Sequence, residues 1–224
     1  MARYLAVCAG LEPEELSDLA QYVTRRRLEA GQTLFQEGDS ADQVFTVTSG
    51  VVKQYKLLSD GRCQVTGFYF MGDMIGMPDG KAYPVTAEAL SDIAVCSFPR
   101  TRIVDLIHAY PALADGVMLK FQREVATAQE QMLALGRLNA EERIAGFLLM
   151  LHDKAPECAH EDGTLTLHMK RADIADYLGL TVETVSRSFT KLRKAGVLGA
   201  EIAGRIQIAG RERLAAIANG EDAA

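Results

Sequence analysis

The spacing of apolar positions along this 224-residue chain changes twice. Over residues 1 to about 30, Leu11, Leu16, Leu19 and Val23 fall on one face of a helix, so this stretch is expected to be helical. From Gly31 to about Phe98 the pattern shortens to β-type runs at residues 33–35, 44–47, 51–58, 64–70 and 84–89. Turns separate them at Glu37-Gly38-Asp39, Ser49-Gly50, Ser59-Asp60-Gly61 and Met71-Gly72-Asp73, where glycine or an Asx side chain supports the reversal. Many short strands at regular spacing predict an antiparallel barrel or jelly roll.

After Pro99 the helical period returns, and Pro111 suits a first helical turn. Leu113, Val117, Phe121, Val125, Ala128, Met132 and Leu135 recur every three or four residues, close to a heptad seam. Such a stripe fits either a contact with a second chain or a long helix lying on its own barrel. Gly136 should loosen this helix. Asn139 then caps the next one, with Glu142 at the capping-box position, so a hinge is expected here.

Residues 171–196 carry the most specific pattern. Ile174, Ala175 and Leu178 define a short helix that stops at Gly179, a residue able to take positive φ. Thr181 is a natural N-cap for a second helix, on which Val185, Phe189 and Leu192 form an inward stripe. Glu183, Ser186 and Arg187 then share one outward face at its N-terminal end. That is where a helix-turn-helix presents side chains to base edges in the major groove. Arg187, Lys191, Arg193 and Lys194 cluster on and after this helix, and two short alternating runs between Gly199 and Gly210 read as a wing.

Charge supports this division. The formal net charge is −6, yet residues 169–213 hold nine Lys/Arg against five acids, a local +4 that leaves −10 for the remainder. Attraction to phosphate is local, because fields are screened over about 8–10 Å at physiological salt. The chain has no apolar run long enough to span a bilayer and begins without an export signal, so cytoplasmic residence and no membrane partner are expected. Metal enzymes on barrels need clustered histidines. His108, His152, His160 and His168 all follow the barrel region, which argues against a cupin-like metal enzyme fused to a DNA reader. No phosphate loop, nucleophile elbow or spaced carboxylate pair points to catalysis.

The run Thr181-Val182-Glu183-Thr184-Val185-Ser186-Arg187 resembles the recognition helix of the Crp/FNR family of bacterial transcription regulators, nearer the FNR and FixK branches than the cyclic-AMP receptor. The likeness extends through residues 138–143, 66–68 and 72–76 and so covers most of the chain. It implies an α+β architecture: a β-roll sensor domain with an N-terminal helix (1–108), a coiled-coil dimerisation helix (109–137) and a winged helix-turn-helix (138–224). The implied partners are double-stranded DNA, a second copy in a parallel homodimer, and RNA polymerase. The implied target is a TTGAT inverted repeat, with Glu183 accepting from cytosine, Arg187 forking onto guanine and Ser186 touching a neighbouring base. Val182 replaces the arginine by which the cyclic-AMP receptor type reads a further guanine, so TGTGA should be disfavoured. Lys170, Arg171, Thr181, Thr184, Lys191, Arg193 and Lys194 are the expected phosphate contacts.

The same resemblance bears on the sensor. A cyclic-AMP pocket in this family needs a glutamate after the Gly-Asp-x-x-Gly turn and then an Arg-Ser pair. Met77 and Pro84-Val85-Thr86-Ala87 stand there instead, so cyclic AMP is not expected. A four-iron cluster of the FNR type needs four thiolates. Cys8 and Cys96 resemble two of its ligands, whereas Cys63 and Cys158 are not placed to complete the set. Three readings stay open: free thiols, a [4Fe-4S] cluster completed by other ligands in an FNR-type oxygen sensor, or a redox-reactive single thiol. For the last, Cys158 in an acidic linker is the candidate, expected to be exposed. Lacking the complete cluster, the chain resembles the FixK branch more than FNR, which implies a role in oxygen- or redox-linked gene control.

Overall fold

The structure, a computed structural model, describes residues 10–221. It divides into two compact units: one comprises the residues up to Leu57 with Thr66–Thr127, the other Leu58–Val65 with the residues from Ala128 onward. A short helix α1 (Pro13–Ala20) precedes eight strands: β1 (Thr24–Leu28), β2 (Thr33–Phe35), β3 (Gln43–Ser49), β4 (Val52–Leu57), β5 (Cys63–Tyr69), β6 (Met74–Ile75), β7 (Thr86–Ala89) and β8 (Ile93–Pro99); all lie in the first unit except the first three residues of β5, which belong to the second. The strands form two four-stranded sheets ordered β1-β8-β3-β6 and β2-β7-β4-β5, in which β1·β8, β8·β3, β3·β6, β2·β7 and β7·β4 pair antiparallel. Strand pairing of this kind satisfies the backbone while alternate side chains turn inward. Phe35, Phe45, Val47, Val52, Ile75, Tyr83 and Val95 fill the space between. The Phe35 and Tyr83 rings stack with centroids 3.9 Å apart, and the Tyr83 hydroxyl donates to the Gln43 carbonyl at 2.7 Å.

The expected N-terminal helix is shorter than its apolar spacing suggested. It ends at Ala20, and Thr24–Leu28 is an edge strand paired with β8 in the register Thr24↔Ser97 to Leu28↔Ile93. β-Branched Val23 and Thr24 favour extended backbone. Arg25, Arg26 and Arg27 keep their charges in water while their backbone covers the flank of β8, and only Leu28 turns into the core. Leu11 and Leu19 are nonetheless buried as expected, against Val44, Phe98, Ile103, Leu113 and Val117.

Helix α2 (Arg100–Ala109) leads to α3 (Pro111–Arg137), a helix of 27 residues. Gly136 lies inside α3, so the chain breaks after Arg137, one residue later than the expected loosening point. The next helix, α4 (Ala140–Lys154), starts with the capping box anticipated from sequence. The Asn139 side chain accepts from the Glu141 and Glu142 amides, and Glu142 accepts from the Asn139 amide at 2.7 Å. After β9 (Thr164–Thr166) come α5 (Arg171–Leu178), α6 (Val182–Lys194), the hairpin β10 (Leu198–Ile202) and β11 (Arg205–Ile208), and α7 (Arg211–Ala218). The anticipated wing is thus a three-stranded sheet ordered β10-β11-β9. Sequence pattern missed β9 because three residues with one buried side chain, Leu165, carry too little periodicity.

Ile144, Leu148, Leu151, Ile174, Leu178, Val185, Phe189, Ile206 and Leu214 form the inside of this second unit. The α5–α6 turn depends on Gly179, at φ 63° and ψ 39°. A Cβ there would stand 3.1 Å from Leu135 Cδ2, besides the cost of a left-handed backbone. Replacing Gly179 with Ala should therefore lower unfolding free energy by about 1–2 kcal/mol. Urea denaturation followed by circular dichroism measures this, and an unchanged midpoint would contradict it.

Candidate nucleic-acid interface

The physical construction of α6 decides what it can touch. Its N-cap is Thr181, whose hydroxyl accepts from the Thr184 amide at 3.1 Å. Val185, Ser188, Phe189 and Leu192 are buried, which turns Glu183, Ser186 and Arg187 outward at the opposite face. The three predicted base-reading side chains are therefore together and exposed. Hydrogen bonds from its own backbone amide and the Thr181 hydroxyl, helped by Arg187, hold the Glu183 carboxyl below the usual carboxylate range. At neutral pH it is an anion, suited to accept from a base amino group. Arg187 Nη2 rests 3.3 Å from Thr184 Oγ1, a weak tether that leaves its remaining donors available. Val182 is also exposed and would present only methyl groups.

The predicted phosphate contacts divide. Lys170, Arg193 and Lys194 are exposed. Thr181 is exposed with its hydroxyl engaged in the cap, and Thr184 is half-buried beside it. Lys191 is exposed but ion-paired with Glu141 at 2.6 Å, so a phosphate would have to displace a carboxylate there. Arg171 requires a correction. Its guanidinium lies 3.6 Å from the centroid of the Phe189 ring and pairs with Glu201 of the wing, leaving it half-buried. A planar cation sandwiched between an aromatic face and a carboxylate serves to join α5, α6 and β10 rather than to reach for a backbone phosphate.

The α3 stripe also divides. Leu113 is fully buried and Val117 nearly so, both packed with Leu11, Leu19 and Phe98 inside the first unit; they do not belong to an outward seam. Beyond them the stripe is uncovered. Phe121 (41% exposed), Val125 (56%) and Met132 (65%) lie out, with Ala128 exposed and Leu135 half-buried. Met118 (59%) joins them, one heptad before Val125 and two before Met132, a spacing visible in the sequence that the seven-residue stripe leaves out.

A pocket in the first unit is lined by Phe35, Gln54, Met77, Tyr83, Pro84, Val85, Phe121 and Glu124, among others. Glu124 accepts from the Tyr69 hydroxyl at 2.7 Å, and burial raises its carboxyl above the ordinary value. Cys63 and Cys96 are half-buried, whereas Cys8 lies outside the described residues. Among the described residues no three His, Cys, Asp or Glu side chains are grouped to hold a metal ion. Cys158 corrects the expectation of an exposed thiol: it is completely buried, and burial, with Glu157 nearby, pushes the thiol up to about 12. Among the described residues no helix is long and apolar enough to cross a membrane.

A capped recognition helix, a three-stranded wing and a preceding antiparallel roll define a winged helix-turn-helix regulator with a sensor-type domain. Comparison with known proteins agrees. The family model of the Crp-like helix-turn-helix domain matches residues 142–217, and that of the cyclic nucleotide-binding domain matches residues 25–110. The chain is 42% identical to the transcriptional activatory protein AadR of Rhodopseudomonas palustris, over 86% of its own length and 80% of that protein. It is 38% identical to the nitrogen fixation regulation protein FixK of Bradyrhizobium diazoefficiens, over 96% and 91% of the two chains. The structure of FixK2 from Bradyrhizobium japonicum superposes with a TM-score of 0.80 at 36% identity, covering 90% of this chain and 98% of that one. The chain belongs to the Crp/FNR family of transcription regulators.

The buried thiol has a direct chemical consequence. A thiol held near 12 has almost no thiolate at pH 8, so native Cys158 should resist iodoacetamide and react only after denaturation. Mass spectrometry of labelled peptides distinguishes it from the other cysteines; labelling of Cys158 in the native protein at the rate of a free thiol would contradict its burial.

Proposed function

We propose that this protein is a homodimeric, FixK-type transcriptional activator that binds a TTGAT-N4-ATCAA-like inverted repeat and recruits RNA polymerase. The observation that carries this reading is the joint outward presentation of Glu183, Ser186 and Arg187 on a capped helix. An anionic acceptor, a hydroxyl and a bidentate cation, spaced i, i+3 and i+4, match cytosine, a neighbouring base and guanine in one half-site. Val182 adds no donor at the position where the TGTGA readers of this family carry arginine. The names of the relatives, an activatory protein and a nitrogen fixation regulator, support activation, and the FixK resemblance supports oxygen- or redox-linked control.

Dimerisation follows from physical need. Met118, Phe121, Val125, Ala128 and Met132 expose a continuous apolar stripe along α3, more than a lone solvated helix would retain. A parallel pair of such helices gives the two-fold axis that sets recognition helices about 34 Å apart, one turn of the duplex. We also infer that the roll does not take a cyclic nucleotide. Pro84 and Val85 line its pocket where the phosphate would need a guanidinium, and Glu124 adds a carboxylate that would repel it.

Competition gel shifts test the operator. The TTGAT palindrome should outcompete a TGTGA palindrome, and the reverse order would overturn the assignment. Glu183→Ala should relax base choice at one symmetric pair of positions by about 1–3 kcal/mol per half-site, whereas Lys194→Ala should weaken all sequences alike and reduce the salt slope by about one. For the dimer, Val125→Glu should give a monomer by light scattering with greatly weakened operator binding. A dimeric Val125→Glu protein would remove the α3 stripe from the assembly.

A further inference from the structure

An α-helix leaves its last carbonyls without partners, and α5, only eight residues long, has a large share of its backbone in that condition. Three of these carbonyls in succession are met by side chains from three other elements. The Asp176 carbonyl accepts from Gln64 Nε2 of β5 at 2.7 Å, and the Tyr177 carbonyl accepts from Gln131 Nε2 of α3 at 2.7 Å. The Leu178 carbonyl accepts from Arg143 Nη1 of α4 at 2.8 Å. Gln64, Gln131 and Arg143 all pack with the second compact unit.

Arg143 does more than cap one helix. Its Nε donates to the Leu138 carbonyl at 2.8 Å and its Nη2 to the Leu135 carbonyl at 3.0 Å, both at the end of α3. One guanidinium therefore sits between the C-terminal ends of α3 and α5, where the partial negative charge of each helix dipole favours a cation. A planar fork with fixed donor directions can serve both ends simultaneously, which a lysine cannot. Gly179 completes the joint: Leu135 Cδ2 and Arg143 Nη1 lie 3.1 and 3.6 Å from where its Cβ would be.

We propose that Gln64, Gln131 and Arg143 form a clasp that sets the angle between α3 and the α5–α6 reader, with Arg143 as the chief positioning residue. The clasp thereby determines which half-site spacing the protein accepts. This rests on the dimeric operator reading given above. With α3 as the dimer helix and α6 as the reader, the angle between them fixes the separation of the two recognition helices. A joint made by charged, directional hydrogen bonds holds that angle more firmly than the short Leu138-Asn139 connection alone.

Gel-shift competition with the full-length protein tests this, using duplexes in which two TTGAT half-sites are separated by four or by six base pairs. Arg143→Met keeps the aliphatic stem and removes the donors, and Gln131→Leu removes the amide with little change of volume. The wild-type preference for four base pairs should fall about tenfold in Arg143→Met and about threefold in Gln131→Leu. Discrimination between TTGAT and a singly substituted half-site at fixed spacing should stay unchanged, because α6 keeps its own cap and packing. A partly unfolded variant loses affinity for all duplexes by one factor and leaves the spacing ratio at its wild-type value. That unaltered ratio in Gln131→Leu and in folded Arg143→Met would overturn the clasp while the operator reading stands. Wild-type protein indifferent to spacing would overturn both.

Discussion

The burial of one stripe on α6 governs the rest of the DNA-reading half. Val185, Phe189 and Leu192 are excluded from water, and at 3.6 residues per turn that demand leaves Glu183, Ser186 and Arg187 nowhere to go except outward. Burying a side chain the size of phenylalanine or leucine is worth about 1.5–3 kcal/mol, so rotating the helix to hide the polar trio would forfeit several such contributions together. On the proposed reading, specificity is thus a by-product of packing: the core chooses which side chains are turned toward the duplex. The Thr181 cap and the Gly179 turn fix where that helix begins, and Arg171, lying over Phe189 and held by Glu201, ties the wing to the same core residue.

Much of this was legible along the chain because helices and turns announce themselves locally. The Asn139–Glu142 capping box, the Gly179 stop, the Thr181 cap and the inward stripe of α6 involve residues within a few positions of one another, where geometry follows from backbone rules. What was not legible depends on partners far away in sequence. Arg171 reads as one more surface cation until Glu201, thirty residues on, is seen beside it. Cys158 reads as a thiol in an acidic linker, yet the surrounding fold closes over it. Residues 24–28 fall inside the stretch expected to be helical, but the open flank of β8, about seventy residues later, recruits them as a strand.

The α3 stripe shows a third kind of ambiguity. Seven apolar positions at heptad spacing look equivalent, although the first two pack on their own roll, Phe121, Val125, Ala128 and Met132 are exposed, and Leu135 is half-buried. A period reports that a face is apolar; it carries no record of what covers that face at each level. Within one helix the burden passes from intramolecular packing at Leu113 and Val117 to an uncovered surface from Met118 onward. Arg143 was similarly hidden. It stood in a motif read for its cap, and its value lies in three carbonyls that no side-chain pattern encodes.

The arginines of β1 have a consequence for assembly. A flank strand in a roll offers unpaired amides and carbonyls, and two copies could in principle join there into a continuous sheet. Arg25, Arg26 and Arg27 make such an approach self-repelling, since pairing two copies edge to edge would set like-charged side chains beside one another on the faces of the new strand pair. Blocking sheet-to-sheet growth leaves the α3 stripe as the unobstructed way for two chains to meet, and on the dimeric reading proposed above it keeps a pair from growing into a polymer.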